Sequence, residues 1–155
     1  MNTFTGEKII KALPYASEFC FVDNIDKVDS EQISGYYTFQ ADRKLYQAHI
    51  THKPIVPGAL LLECMGQIGL VSHGIYLMGL YSSSFTPALS HVDVEFLHPV
   101  LPGDTVRISG TKTYLRNGRL RSSIKAYHSE SDKLLARASG LCQFQINQEN
   151  QNDNE

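Results

Sequence analysis

The run from Ala59 to Leu80 restricts the fold more than any other stretch of this chain. Pro57-Gly58 opens it, strong helix formers fill it, and it is apolar on nearly every side. A helix of that kind must be enclosed, so the remaining residues have to wrap it. Its length approaches that of a membrane span. Its content does not: Glu63, Gln67, Ser72 and His73 are costly in lipid and natural beside a pocket. The run therefore reads as a core helix, and 155 residues suit one domain, with 1–146 folded and the polar, acidic stretch 147–155 as a disordered tail.

The wrapping reads as strands. Thr5 to Ala12 forms a short helix closed by Leu13-Pro14, and Phe19 to Asp29 and Ile33 to Gln40 follow as two strands joined through Asp29-Ser30-Glu31. After the polar break Ser82-Ser83-Ser84, Val92, Val94 and Phe96 alternate with His91, Asp93 and Glu95. Val106 and Ile108 open another strand. Leu120, Ser122, Ile124 and Ala126 alternate with Arg119, Arg121, Ser123 and Lys125, and Asn117-Gly118 is a hairpin turn between these two. The last strand carries Leu134, Ala136, Ala138, Gly140, Cys142, Phe144 and Ile146 on one face, with small residues at its middle where the helix can pack closely. The fold class is α+β, a curved antiparallel sheet around one buried helix.

Composition excludes several functions. With 14 Lys+Arg against 16 Asp+Glu, the formal charge is -2, which suggests neither nucleic acid nor an anionic membrane as partner. The start MNTFTGEKIIKALPY lacks the pattern of a secretory signal, so a cytoplasmic location is expected. Cys20, Cys64 and Cys142 are odd in number and set in apolar surroundings, reading as small core residues and not as a disulfide framework or a zinc site.

The chemistry concentrates between His49 and Gln67. An extended segment carrying His49 is broken by Pro57-Gly58, and Glu63 sits about a turn and a half into the helix that follows. Imidazole exchanges protons near neutrality, and a carboxylic acid in an apolar wall can act as an acid. The first N–H groups of the helix have no internal acceptor and can hold an oxygen gaining negative charge. Gln67, one turn beyond Glu63, either orients the carboxylate or fills the wall. His49 and His52 have a spacing that metals use, but no third ligand accompanies them, so no metal is assigned.

HITHKPIVPGALLLE resembles the His-Phe-Pro-x-x-Pro-x-x-Pro-Gly-x-x-x-x-Glu pattern of the FabZ-type (3R)-hydroxyacyl-acyl carrier protein dehydratases, with His49, Pro54, Pro57, Gly58 and Glu63 in register and Gln67 following. LPYASEFCFVDNI is similar to that family's Leu-Pro-His-x-x-Pro-Phe-Leu-Leu-Val-Asp-Arg-Val segment, and His98 to Asp104 to its Arg-Pro-Val-x-Pro-Gly-Asp loop. The resemblance covers roughly Leu13 to Ile146 and implies the hotdog fold. It also implies a homodimer, which can assemble into a hexamer as a trimer of dimers, with His from one subunit and Glu from its partner in each site. The implied reaction converts a 3-hydroxyacyl thioester on acyl carrier protein to the trans-2-enoyl thioester and water, without metal or organic cofactor. His49 would take the α-proton, the Gly58 N–H would hold the thioester oxygen, and Glu63 would assist departure of the hydroxyl, supported by Pro57 and Gln67.

Ile50, Thr51 and His52 replace the usual Phe-Pro-Gly, and Tyr15-Ala16-Ser17-Glu18 lacks the basic and proline residues of the family. The chain thus resembles a divergent member, and the resemblance leaves a specialised polyene, polyketide-like or modified-lipid pathway as open to it as fatty acid synthesis. Basic residues gather around the second hairpin, where Arg116, Arg119 and Arg121 offer a docking face for an acidic carrier protein; the alternative is a solvated outer face. Two rival functions stand beside dehydration: a hotdog thioesterase using a carboxylate on the same helix, and a non-catalytic hotdog subunit that binds acyl chains or carrier protein.

Overall fold

The computed structural model describes residues 3–147. Helix α1 (Thr3–Ala12) leads into strands β1 (Asn24–Val28) and β2 (Gln32–Thr38), then a short helix α2 (Lys44–His49) and the long helix α3 (Gly58–Met78). Four strands complete the fold: β3 (Phe85–Phe96), β4 (Thr105–Arg116), β5 (Arg119–His128) and β6 (Leu134–Ile146). All strands join one antiparallel sheet in the order β1-β2-β4-β5-β6-β3, folded against α3. This is the α+β hotdog architecture expected from the sequence. The polar tail foreseen from 147 onward lies, Asn147 apart, outside the described residues.

Helix α3 starts where Pro57 turns its carbonyl to the N–H groups of Leu60 and Leu61, at 2.9 and 3.3 Å. It stops at Gly79, whose φ of 64° is open to glycine, with Leu80 N–H closing on Ile75 O at 3.0 Å. Its middle turn, Gln67–Ser72, is wound wide as a π-helix, and the Ser72 hydroxyl donates to the Gln67 carbonyl at 2.6 Å. The helix backbone lies close against the sheet at Gly69 and Gly110 of β4: a Cβ built on Gly110 would lie 3.0 Å from Gly69 Cα. Gly140 on β6, foreseen as a point of close packing, sits equally tight against Leu70. Met65, Ile68 and Ile75 on the helix, with Ile108, Leu120 and Leu135 on the sheet, are fully buried. Each such side chain contributes about 1.5–3 kcal/mol of transfer free energy. The apolar length of α3 is thus spent inside the protein.

The β4–β5 turn takes Asn117 and Gly118 at φ 52° and 71°, with Arg116 opposite Arg119, the geometry of a two-residue type I′ hairpin. In the β1–β2 turn the Asp29 carboxylate accepts from the N–H groups of Glu31 and Gln32, which holds its pKa below the ordinary value.

Two expectations need correction. The strand foreseen over Phe19 to Asp29 is only Asn24–Val28, preceded by a 3-10 turn at Ser17–Phe19, because the backbone at Phe19 and Phe21 bonds to a helix side chain instead of a neighbouring strand. His49 does not lie on an extended segment; it ends α2. The alternating strand Val92-Val94-Phe96 is present as the end of β3, at a sheet edge, where Val92 and Val94 pack half-buried against the core and Phe96 is 48% exposed. Its edge position also explains how Pro87 fits within it. On β6, Ile146 falls past the end of the helix and is exposed.

His73 of α3 is wholly buried, its Nε2 2.9 Å from the Asp29 carbonyl and its Nδ1 without a partner among the described residues. Burial lowers its pKa; Lys112 pushes the same way, while the bond to Asp29 and the charges of Asp29 and Glu31 oppose. The unfolded chain therefore binds a proton that the folded one resists. Stability should hold above the ordinary imidazole value of about 6.5 and fall as pH drops below it. Urea midpoints measured from pH 7.5 to 5 should decline, and His73→Gln, which cannot ionise, should flatten that decline.

Candidate active site

Gln67 is buried at 1% exposure, and every polar atom of its amide is used. Its Oε1 accepts from Phe21 N–H at 2.7 Å, and its Nε2 donates to the Phe19 carbonyl at 2.9 Å and to Glu63 Oε1 at 3.0 Å. The amide thus orients the carboxylate, and it also pins the Phe19–Phe21 segment onto α3. Cys64 adds a contact from its Sγ to the Phe21 carbonyl at 3.4 Å, its thiol pushed well up by burial.

Glu63 is half-buried and faces a cavity of about 270 Å³ walled by Tyr15, Leu62, Gly66, Leu70, Leu89 and Cys142, among others. Burial raises the Cys142 thiol to about 12, so at neutral pH it is an uncharged part of the wall.

His49 belongs to a different cavity, of about 300 Å³, shared with Gly58, Leu61, Phe96, His98 and Val100. The helix start at Pro57 has no side-chain cap, and the N–H groups of Gly58 and Ala59 have no acceptor among the described residues. The Phe96 ring lies over Gly58, where a Cβ would come within 3.2 Å of it. The loop before β4 fixes this region: Val56 N–H donates to Val100 O at 2.9 Å, Gly103 N–H to Phe39 O at 2.6 Å, and the Asp104 carboxylate accepts from Leu101 N–H at 2.9 Å. On its other oxygen Asp104 meets His128 Nε2 at 3.4 Å.

The chain therefore brings His49 to Gly58, and Glu63 to Gln67, but does not place His49 and Glu63 in one cavity. His52 is exposed and lines neither. Arg116 and Arg119 face each other across the hairpin and Arg121 follows on the same face, which alternates with the buried Leu120 and Ser122 and so points away from α3. Phe96 was expected only as a strand residue, His98 only as part of the loop to Asp104, and Tyr15 only as a departure from the family pattern. All three line the cavities, and only the flanking segments quoted for the resemblance hinted at their proximity.

A family model described as the FabA-like domain matches residues 13–136. The chain belongs to the FabA-like family. It is 32% identical over 126 residues to the 3-hydroxyacyl-[acyl-carrier-protein] dehydratase FabZ of Geobacter metallireducens, covering 81% of this chain and 84% of that protein. The corresponding enzyme of Bartonella henselae is 29% identical over 125 residues, 79% of each chain. Among solved structures, the dehydratase heterocomplex ApeI:P from Xenorhabdus doucetiae superposes with a TM-score of 0.73 at 13% identity, covering 90% of this chain and 91% of that one. A thioesterase from Haemophilus influenzae gives 0.59 at 15% identity, covering 83% and 81%. At such identities the structural likenesses establish the hotdog fold, while the sequence relatives make this FabA-like chain a divergent FabZ-like member.

Replacing Gln67 by Leu removes three hydrogen bonds and leaves the Phe21 N–H and Phe19 carbonyl without their partner. Gln67→Leu should lower the unfolding free energy by about 2–4 kcal/mol in urea titrations. Gln67→Glu, which cannot donate to both Phe19 and Glu63 and sets two carboxylates side by side, should also destabilise.

Proposed function

We propose that this protein is a cytoplasmic 3-hydroxyacyl thioester dehydratase acting on chains carried by acyl carrier protein, in fatty acid synthesis or a related specialised lipid pathway. The observation that carries the reading is the pairing of an uncapped helix start beside His49 with a carboxylate oriented by a buried amide on the same helix. In the reaction His49 takes the α-proton while the thioester oxygen, becoming enolate-like, accepts from the Gly58 N–H. Glu63 in its acid form delivers a proton to the β-hydroxyl, the C–O bond breaks, and water leaves behind the trans-2-enoyl thioester. The two residues then exchange their proton with solvent. Pro57 sets the start of the helix, and no metal or organic cofactor takes part.

The separate placement of the two residues supports a homodimer with shared sites. Pro87 and Leu89, at one end of β3, line the Glu63 cavity, and Phe96, at the other end, lines that of His49. The outer edge of β3 has no strand partner among the described residues. When two such edges pair antiparallel about a two-fold axis, residues 87–89 of each subunit come towards residue 96 of the other. Glu63 of each subunit then approaches the partner's His49 side. A trimer of such dimers is compatible with this arrangement.

Absorbance of the enoyl thioester formed from a short (3R)-hydroxyacyl carrier protein tests the chemistry. His49→Ala and Glu63→Gln should each lose about 10²–10⁴-fold in kcat. Mixing the two inactive variants with subunit exchange should restore about a quarter of native activity, since half the dimers then hold one intact site of two. Release of free thiol in place of enoyl product would establish a thioesterase instead. A native dimer inactive on every chain length would establish a binding subunit.

Carrier docking is placed on the basic face of the β4–β5 hairpin. Among the described residues Arg116, Arg119 and Arg121 form no ion pair, and Tyr114 stands exposed directly opposite Arg121. That face is turned away from α3, so a pantetheine arm would have to round the sheet edge. Arg119→Glu with Arg121→Glu should raise KM several-fold for a carrier-bound substrate and leave it unchanged for the same acyl group on pantetheine alone. An unchanged KM for both substrates would place docking elsewhere.

A further inference from the structure

The cavity at Glu63 contains one polar group that the reaction described above does not use. Tyr15 is half-buried in its wall, packed on the core and on the Phe19 ring at 6.2 Å between centroids. Among the described residues its hydroxyl has no hydrogen-bond partner. The other polar groups of the wall are committed. Both donor hydrogens of the Gln67 amide are taken by Phe19 and Glu63, its oxygen by Phe21, and the Cys142 thiol turns to the Gln143 carbonyl at 3.9 Å. The rest of the wall is apolar, including Leu62, Leu70, Val71, Pro87 and Leu89. A polar substituent entering this space therefore meets two groups with capacity to spare, the second oxygen of Glu63 and the Tyr15 hydroxyl.

We propose that Tyr15 binds the 3-hydroxyl of the acyl chain, donating to its oxygen from the side opposite the Glu63 carboxyl. The proposal rests on the dehydratase reading and assigns to Tyr15 the recognition of the group that leaves. A secondary alcohol oxygen has two lone pairs, so it accepts from Tyr15 and from the acid form of Glu63 at once. As the C–O bond breaks, charge builds on that oxygen. The proton comes from Glu63, and Tyr15 keeps its own. Its chemistry fits a donor that is never a base: burial first, and the nearby Glu63 charge second, hold the phenol well above its ordinary pKa. The FabZ-like segment to which Leu13-Pro14-Tyr15 is similar has a histidine at the position of Tyr15, another ring with a hydrogen to donate.

The test uses two inert probes on the full chain: the pantetheine amides of (3R)-3-hydroxyoctanoic acid and of octanoic acid. In an amide the α-proton is too weakly acidic to be removed, so binding is read alone by calorimetry. The native protein should bind the hydroxylated amide about five- to tenfold more tightly than the plain one, the range of one neutral hydrogen bond. Tyr15→Phe should erase that preference with affinity for the plain amide intact, and Tyr15→His should restore part of it. With the hydroxyacyl thioester, Tyr15→Phe should raise KM about five- to tenfold and lower kcat/KM by at least that factor. Absence of a hydroxyl preference in the native protein, or its survival in Tyr15→Phe, overturns the proposal. Equal loss of affinity for both amides assigns Tyr15 a packing role and also overturns it. A native chain that prefers the hydroxyl through Tyr15 yet forms no enoyl product keeps this inference and sinks the dehydratase reading.

Discussion

The polar side chains of α3 have to be satisfied inside an otherwise apolar enclosure, and this requirement organises the molecule. Apolar burial is non-directional, and by itself would let the sheet and the N-terminal segment settle against the helix in many ways. An unpaired polar group buried there costs about 1–3 kcal/mol, so partners are compulsory. Gln67 takes the backbone of Phe19 and Phe21, His73 takes the Asp29 carbonyl, and Ser72 takes the Gln67 carbonyl that the π turn presents. Glu63 is the exception that matters. It is bonded to Gln67 on one oxygen, and the other has no hydrogen-bond partner among the described residues.

The order of elements was legible because it rests on periodicities that tertiary contacts do not overrule. Leu120 to Ala126 alternate as read, Asn117-Gly118 turns as read, and α3 spans the apolar run. The segment from Phe19 failed because its apolar residues carry a strand-like pattern, while their backbone is claimed by a side chain far along the sequence. No local pattern encodes a hydrogen bond from residue 67 to residue 21. β3 was legible as a strand but not in its position: alternation identifies a strand and says nothing of its place in the sheet, and at an edge the apolar positions remain partly exposed.

At the site, residue types and spacing located His49, Gly58, Glu63 and Gln67 as the chemically interesting set. Their division between two cavities was not legible from spacing, since it depends on how α2 and the loop before β4 are tied to the helix start. The bonds from Val56 to Val100 and from Gly103 to Phe39 do that tying. Tyr15 was read only as a departure from a pattern. Its meaning emerged from the same clamp that corrected the first strand, because pinning Phe19 and Phe21 to Gln67 is what carries Tyr15 to the wall beside Glu63.

That clamp couples stability to chemistry in a way a simple catalytic pair would not. One amide holds the carboxylate, the segment that bears Tyr15 and the closure of the core at Phe21, which is 1% exposed. A change that loosens the core near Phe21 therefore moves both polar groups of the cavity together. The His49 side hangs on a separate set of backbone bonds from the loop before β4, anchored by Asp104 and His128. The two sets meet in the core, where the ring of Phe21 packs on that of Phe39, whose carbonyl holds Gly103. In a two-fold assembly, in which each site takes one half from each subunit, the two halves must then be registered by the β3 edge alone. Exposed Leu89 and Phe96 near its two ends are the side chains most able to set that register.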